Sequence, residues 1–208
     1  MALTPPTVAS DPATATHTNT ALAAINVFVT NSITKSVAAL QILRDRAVLV
    51  GGSIELLNAI DRVLSTIGGQ SHADPTVAAS PATQTQTNSA FATFTGYIDT
   101  LNANLASAFA ELRQHFRMTH GNVLNRERFT TATVNIATPA VQTAITVASD
   151  PVSQADMNTA LASATALVDT FNVELAAVLD TFTMPFRLNP GNQILALRLE
   201  NAIVELNA

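Results

Sequence analysis

His115 and His120 are the closest pair of histidines in this sequence, and they stand five residues apart. Five residues turn a helix by about 500°, so the two rings do not share a face as an i, i+4 ligand pair does. His17 and His72 stand alone. An inward-facing Glu-x-x-His motif, which marks carboxylate-bridged metal bundles, is absent. The fifteen carboxylates are scattered. Asp99, Glu111, Asp169 and Glu174 fall off the apolar rows described below and read as a solvated face. Gly51-Gly52 and Gly68-Gly69 lack the Lys-Ser/Thr and the strand-to-helix setting of a phosphate loop. No serine sits in a Gly-x-Ser-x-Gly elbow, and there is no cysteine for thiol or zinc chemistry. Neither an enzyme nor a metal or cofactor site is expected.

The composition narrows the class further. Hydrophobic residues make up 48% of the chain, enough to build a core. Charged residues make up only 12%, about half the usual share. One lysine, Lys35, stands against nine arginines, so Thr, Ser, Asn and Gln supply the polar surface. That suits a protein covered by partners, one outside the cytoplasm, or simply an Ala/Thr-biased coding sequence. Net charge is −5 with no basic run, which argues against nucleic-acid binding. The start, MALTPPTVASDP, has neither the basic nor the apolar region of a secretory leader. Apolar stretches are interrupted by Thr, Asn and Ser, so no membrane span is expected.

The elements that position these residues come in threes. TVASDP at Thr7–Pro12 returns as TVAASP at Thr76–Pro81 and TVASDP at Thr146–Pro151, at steps of 69 and 70. Asn19-Thr-Ala-Leu-Ala returns at Asn88 and Asn158 with the same steps, and glycines follow at Gly51, Gly121 and Gly191. Three markers in one order at one spacing mark a triplication: 1–73, 74–143 and 144–208, within one cooperative domain. Asp11, Ser80 and Asp150 each precede a proline, the pattern of a helix N-cap with Pro at the first helical position.

Apolar residues follow at heptad spacing. The third repeat has Leu161, Val168, Leu175 and Phe182, with Ala164, Phe171 and Val178 three residues behind each. The second has Phe91, Ile98, Leu105 and Leu112, with Phe94, Leu101 and Ala108. The first is looser, with Leu22, Ile25, Val29, Ile33 and Leu40, and a one-residue deletion would shift its stripe. These narrow seams predict one amphipathic helix of about 30 residues, roughly 45 Å, per repeat. Ile54, Leu57, Ile60, Leu64 and Ile67, and later Ile194, Leu197, Ile203 and Leu206, predict shorter second helices. Thr130–Ile136 in the second repeat is β-branched and alternating, a pattern that also reads as extended. Phe116-Arg117 and Phe186-Arg187 read as lying past the ends of the long helices. They are either a plug over the bundle end or anchors for a partner.

The segment Asp99–Arg113, DTLNANLASAFAELR, resembles the short heptad helices of phage head-fibre, decoration and tail-fibre proteins. Those proteins often join an Ala/Thr/Asn-rich lead to such a helix and often trimerise, whereas this chain carries three copies itself. The resemblance implies a non-enzymatic structural protein of a virus particle, of decoration, fibre or connector type. It would dock on other structural proteins of the assembly through helical surfaces and an N-terminal arm.

The expectation is therefore an all-α fold of three tandem repeats, each a long and a shorter helix, packed as a pseudo-threefold bundle. A linear array, or stripes that meet other chains, uses the same periodicity. The partners would be proteins or further copies of the chain, and the location a virion. The alternative is a bacterial surface or secreted helical-bundle binding module. An all-α enzyme or ligand-binding bundle is the third reading.

Overall fold

Long heptad segments broken by Gly and Pro leave helices as the economical way to bury apolar rows, and the protein is all-α in its computed structural model. It describes residues 3–49, 54–69, 75–118, 127, 130–131, 134, 144–181 and 193–206. Five helices span them: α1 (Ala15–Leu49), α2 (Ile54–Gly68), α3 (Gln84–Met118), α4 (Gln154–Asp180) and α5 (Gln193–Leu206). Thr130, Thr131 and Val134 are helical as well, so the described residues of that alternating segment are not in a strand, and the rest of it lies outside the described residues. β-Branched residues cost a helix only a fraction of a kcal/mol each, so the pattern does not forbid one.

The chain divides into two compact units. The first, here the arm unit, gathers residues 1–31, 71–100 and 142–170. It contains three extended segments and the first halves of α1, α3 and α4. The second gathers residues 32–70, 101–141 and 171–208, including α2, α5 and the second halves of the long helices.

In the arm unit the heptad rows are core: Leu22, Ile25, Val29, Phe91, Phe94, Ile98, Leu161, Ala164 and Val168 are all buried. In the second unit Leu101, Leu105, Ala108, Phe171, Leu175 and Val178 continue them. The side chain of Leu112 and all of Phe182 lie outside the described residues.

Two features correct the sequence reading. The first helix carries no deletion: α1 and α3 are both 35 residues long, and the heptad rows of α1 run on through Ser32, Ser36 and Ala39 to Leu43, all buried. The serines hid the stripe. Ser36 satisfies its hydroxyl by donating to the Ser32 carbonyl one turn back, so a small polar residue fits the seam without an orphaned group. The buried face is also wider than a two-row seam. Ala21, Ala90 and Ala160 precede the first row, and Leu40, Phe109 and Leu179 follow the second. A third row is what a globular core face requires.

Candidate functional site

No group of three or more His, Asp or Glu side chains able to hold a metal ion occurs among the described residues. The polar chemistry that is organised lies in the arm unit, where the three copies of the repeated hexapeptide are bound.

Each hexapeptide has no regular secondary structure and ends in a bend, with alternate side chains of its approach tucked in. Val8 is buried, as are Pro75 and Val77, and Ile145 and Val147. Burying each valine contributes about 1.5–3 kcal/mol. An asparagine of a neighbouring helix clasps each arm at its valine. Asn158 Oδ1 accepts the Val8 N–H at 2.7 Å, Asn19 Oδ1 accepts that of Val77 at 2.7 Å, and Asn88 Oδ1 accepts that of Val147 at 2.8 Å. The same carboxamides donate back to the carbonyls of Val8, Val77 and Val147 at 3.4, 2.9 and 3.5 Å. One carboxamide thus satisfies both polar groups of one peptide residue, as a neighbouring β-strand would.

The first arm shows its course most fully. The Leu3 N–H donates to both carboxylate oxygens of Asp169, at 3.1 and 3.2 Å, and Val8 is held at Asn158. Five extended residues cover about 16 Å and eleven helical residues cover about 16 Å, so the arm runs antiparallel along α4 with matched rise. Asp169 is therefore a clasp and not a member of a solvated face.

Each arm ends at a cis proline bond, Asp11-Pro12, Ser80-Pro81 or Asp150-Pro151. Next comes a closed cycle of backbone bonds. Ala13 N–H donates to Val152 O at 2.8 Å, Val152 N–H to Ala82 O at 2.9 Å, and Ala82 N–H to Ala13 O at 2.8 Å. All three residues are fully buried. Each gives one bond and receives one, so no arm ends with an unpaired group at this level.

The long helices begin just beyond, and here the cap assignment is corrected. Helices start at Ala15, Gln84 and Gln154, three residues after each proline, so Asp11, Ser80 and Asp150 do not cap their own helices. Thr14, Thr83 and Ser153 hold that place: their hydroxyls accept from the N–H groups of His17, Gln86 and Asp156. Asp11 and Asp150 serve a neighbour instead. Asp11 Oδ1 accepts the Gln154 N–H at the start of α4, and Asp150 Oδ1 accepts the Gln84 N–H at the start of α3. Ser80 makes no matching bond to α1 among the described residues. Glutamine reinforces the same two joints. Gln84 Nε2 donates to Val147 O and Ala148 O, and Gln154 Nε2 to Val8 O. Ala15 occupies that position in α1 and has no amide to give.

The third residue of each long helix ties the arm down by a different route. Gln86 Oε1 accepts from the N–H groups of Ala78 and Ala79. Asp156 accepts from Ser149, whose hydroxyl and N–H hold the carboxyl below the usual carboxylate range. His17 Nδ1 pairs with the hydroxyls of Ser10 and Thr14. His17 is thus used as a helix-start latch. The recurrent Asn19, Asn88 and Asn158 were visible in the sequence as markers of the repeat, but period alone gives a residue no partner.

In the second unit Arg44 pairs with Asp61 of α2 through its Nε and Nη2, and not with its sequence neighbour Asp45. The Arg44 guanidinium holds the Asp61 carboxyl low. Asp45 accepts from Gln41 instead. Glu174 is half-buried, and burial pushes its carboxyl up. A polar cleft of about 400 Å³ lies between α2 and α3, with Arg62, Ser65 and Thr66 facing Asn104 and Ser107. It joins one cation to hydroxyls and amides, which makes no acid–base pair. Phe116 and Arg117 belong to α3, which runs to Met118, so they do not lie past its end. Their side chains, and Phe186 and Arg187 entirely, lie outside the described residues.

Comparison with family models, curated proteins and solved structures finds no match. Among the described residues one helix, α4, is long and apolar enough to cross a membrane, but half of the qualifying window is buried inside the protein, as in a core helix.

Proposed function

We propose that this chain is a non-enzymatic structural component of a larger assembly, a virus particle of decoration, fibre or connector type. In this reading three tandem repeats of about 70 residues pack as a pseudo-threefold bundle. One chain then supplies the helical post that trimeric assembly proteins build from three. The observation that carries the reading is the closed cycle of backbone bonds through Ala13, Ala82 and Val152. With the asparagine clasps it repeats one joint three times, at a cost in ordering that serves rigidity and spacing more than chemistry. The organised polar groups are spent on backbone partners, which leaves docking surfaces as the means of action.

Particle imaging tests the role directly. Gold-labelled antibody to the chain is expected to decorate purified particles at fixed, repeated positions. Label confined to a bacterial envelope would replace this reading with that of a surface or secreted binding module. The bundle is tested by itself: the isolated chain should be a monomer with one sharp thermal transition. A chain that is unfolded until a partner is added would sink it.

A further inference from the structure

Three polar residues of the second unit stand where the sequence repeat is otherwise apolar. At the register of Arg62 the other two copies have Ala132 and Ala202. At that of Thr66 they have Ile136 and Leu206, and at that of Ser107 they have Ala38 and Ala177. Helix formation does not call for Ser107, since alanine is the better helix former. Exposure does not call for it either, since Ala38 and Ala177 are also exposed. Yet α2 carries two of the three residues and α3 the third, and all three line the same cleft.

We infer that this cleft is a binding site for a single acidic sugar, with Arg62 on its carboxylate and Ser65, Thr66, Asn104 and Ser107 on its hydroxyls. The volume of about 400 Å³ falls in the range of small-molecule sites. Among the described residues that line it, Arg62 is the single charged one. A planar guanidinium takes a carboxylate through two parallel bonds, which fixes the orientation of the ligand as well as matching its charge. The other polar side chains are three hydroxyls and one carboxamide. Each of these both donates and accepts, which is what a ring of sugar hydroxyls requires. A bare anion would use the arginine and leave the hydroxyl rim idle. A neutral sugar would use the rim and make nothing of the cation. No aromatic ring is among the lining residues, so recognition rests on hydrogen bonds and one ion pair. This site is independent of the virion reading, and either can fail without the other.

Glucuronate carries both a carboxylate and hydroxyls, and it is the probe, titrated into the full chain and followed by amide NMR. Glucose, acetate and inorganic phosphate are titrated beside it. Glucuronate is expected to give saturable shifts at Ser65, Thr66, Asn104 and Ser107. Glucose and acetate should each bind at least about tenfold more weakly, since each lacks one of the two sets of bonds. Two variants copy the residues of the other repeats: Arg62→Ala, and Thr66→Ile combined with Ser107→Ala. Each should weaken glucuronate binding at least about tenfold while amide signals outside the cleft keep their positions. No saturable shift with glucuronate would overturn the inference, as would unchanged affinity in Arg62→Ala. Acetate or phosphate binding as tightly as glucuronate would also overturn it, reducing the cleft to an anion contact. Glucose binding as tightly would overturn it by taking the arginine out of the site. The four titrations use the unaltered chain, so they decide the matter even if a variant misfolds.

Discussion

An asparagine carboxamide is the smallest side chain that accepts from and donates to the same residue of an extended strand, and this protein uses it for that purpose three times. Removing one should strand a main-chain N–H at a part-buried site. Asn158→Ala is expected to lower unfolding free energy by about 1–3 kcal/mol, read from the urea midpoint, with loss of protection at the Val8 amide in hydrogen exchange. Two carboxyls give opposite pH signatures. Asp156 is held low by Ser149, so its contribution is present above the unfolded value near pH 4 and is lost as pH falls through the lower folded value. Asp156→Asn should flatten that acid limb of Tm against pH. Glu174 is pushed up by burial, so its protonated form is the one the fold favours. Its contribution is present below the unfolded value and lost as pH rises through the folded one. Glu174→Gln should therefore raise Tm at pH 7 and change nothing below about pH 4. A gain that persists in acid would show that the burial argument is wrong for this side chain.

At the scale of elements, the three joints differ by residues that can be exchanged between them. The joints on α3 and α4 have a glutamine and an aspartate that the joint on α1 lacks, where Ala15 and Ser80 stand. Ala15→Gln copies the missing amide donor toward Val77 O. It should raise stability by about 0.5–1.5 kcal/mol, measured by denaturant unfolding; no gain would mean that the α1 track differs in backbone course. Gly96 offers a second gain. It lies within α3, is exposed, and a Cβ there meets nothing within 4 Å. Gly96→Ala should add about 0.5–1 kcal/mol by removing unfolded-state freedom. The helices themselves were readable because heptad rows such as Leu161, Val168 and Leu175 are a one-dimensional pattern. The course of α1 was not, because Ser32 and Ser36 break the apolar pattern while keeping its volume small enough to bury. The arms were misread for a related reason. Asp-Pro before a helix looks like a cap, but capping depends on the chain's path after the proline, and here Asp11 and Asp150 reach the starts of other helices. Asp169 looked solvated because its partner lies 166 residues away.

Across the whole molecule, charge is segregated. The arm unit carries Asp11, Asp74, Asp99, Asp150, Asp156 and Asp169 and not one lysine or arginine; all ten basic side chains fall in the second unit. Around the helix starts, where Asp11, Asp150 and Asp156 lie, the helix geometry gives a cause. The cycle through Ala13, Ala82 and Val152 gathers the starts of α1, α3 and α4, each two residues further on. Three helix N-termini held together concentrate positive dipole ends in one place. Aspartates are favoured there and a cation is not. Thr85, exposed in the first turn of α3, is the place to test this. Thr85→Glu should stabilise by about 0.3–1 kcal/mol at low ionic strength, and Thr85→Lys should destabilise by a similar amount. Thermal unfolding of both variants in low and high salt separates electrostatics from helix propensity, since Glu and Lys are nearly equal helix formers. The difference between them should shrink as salt screens it. A Glu–Lys difference of opposite sign, or one that salt leaves unchanged, would mean that the gathered dipoles do not explain why the basic residues are excluded from this half of the chain.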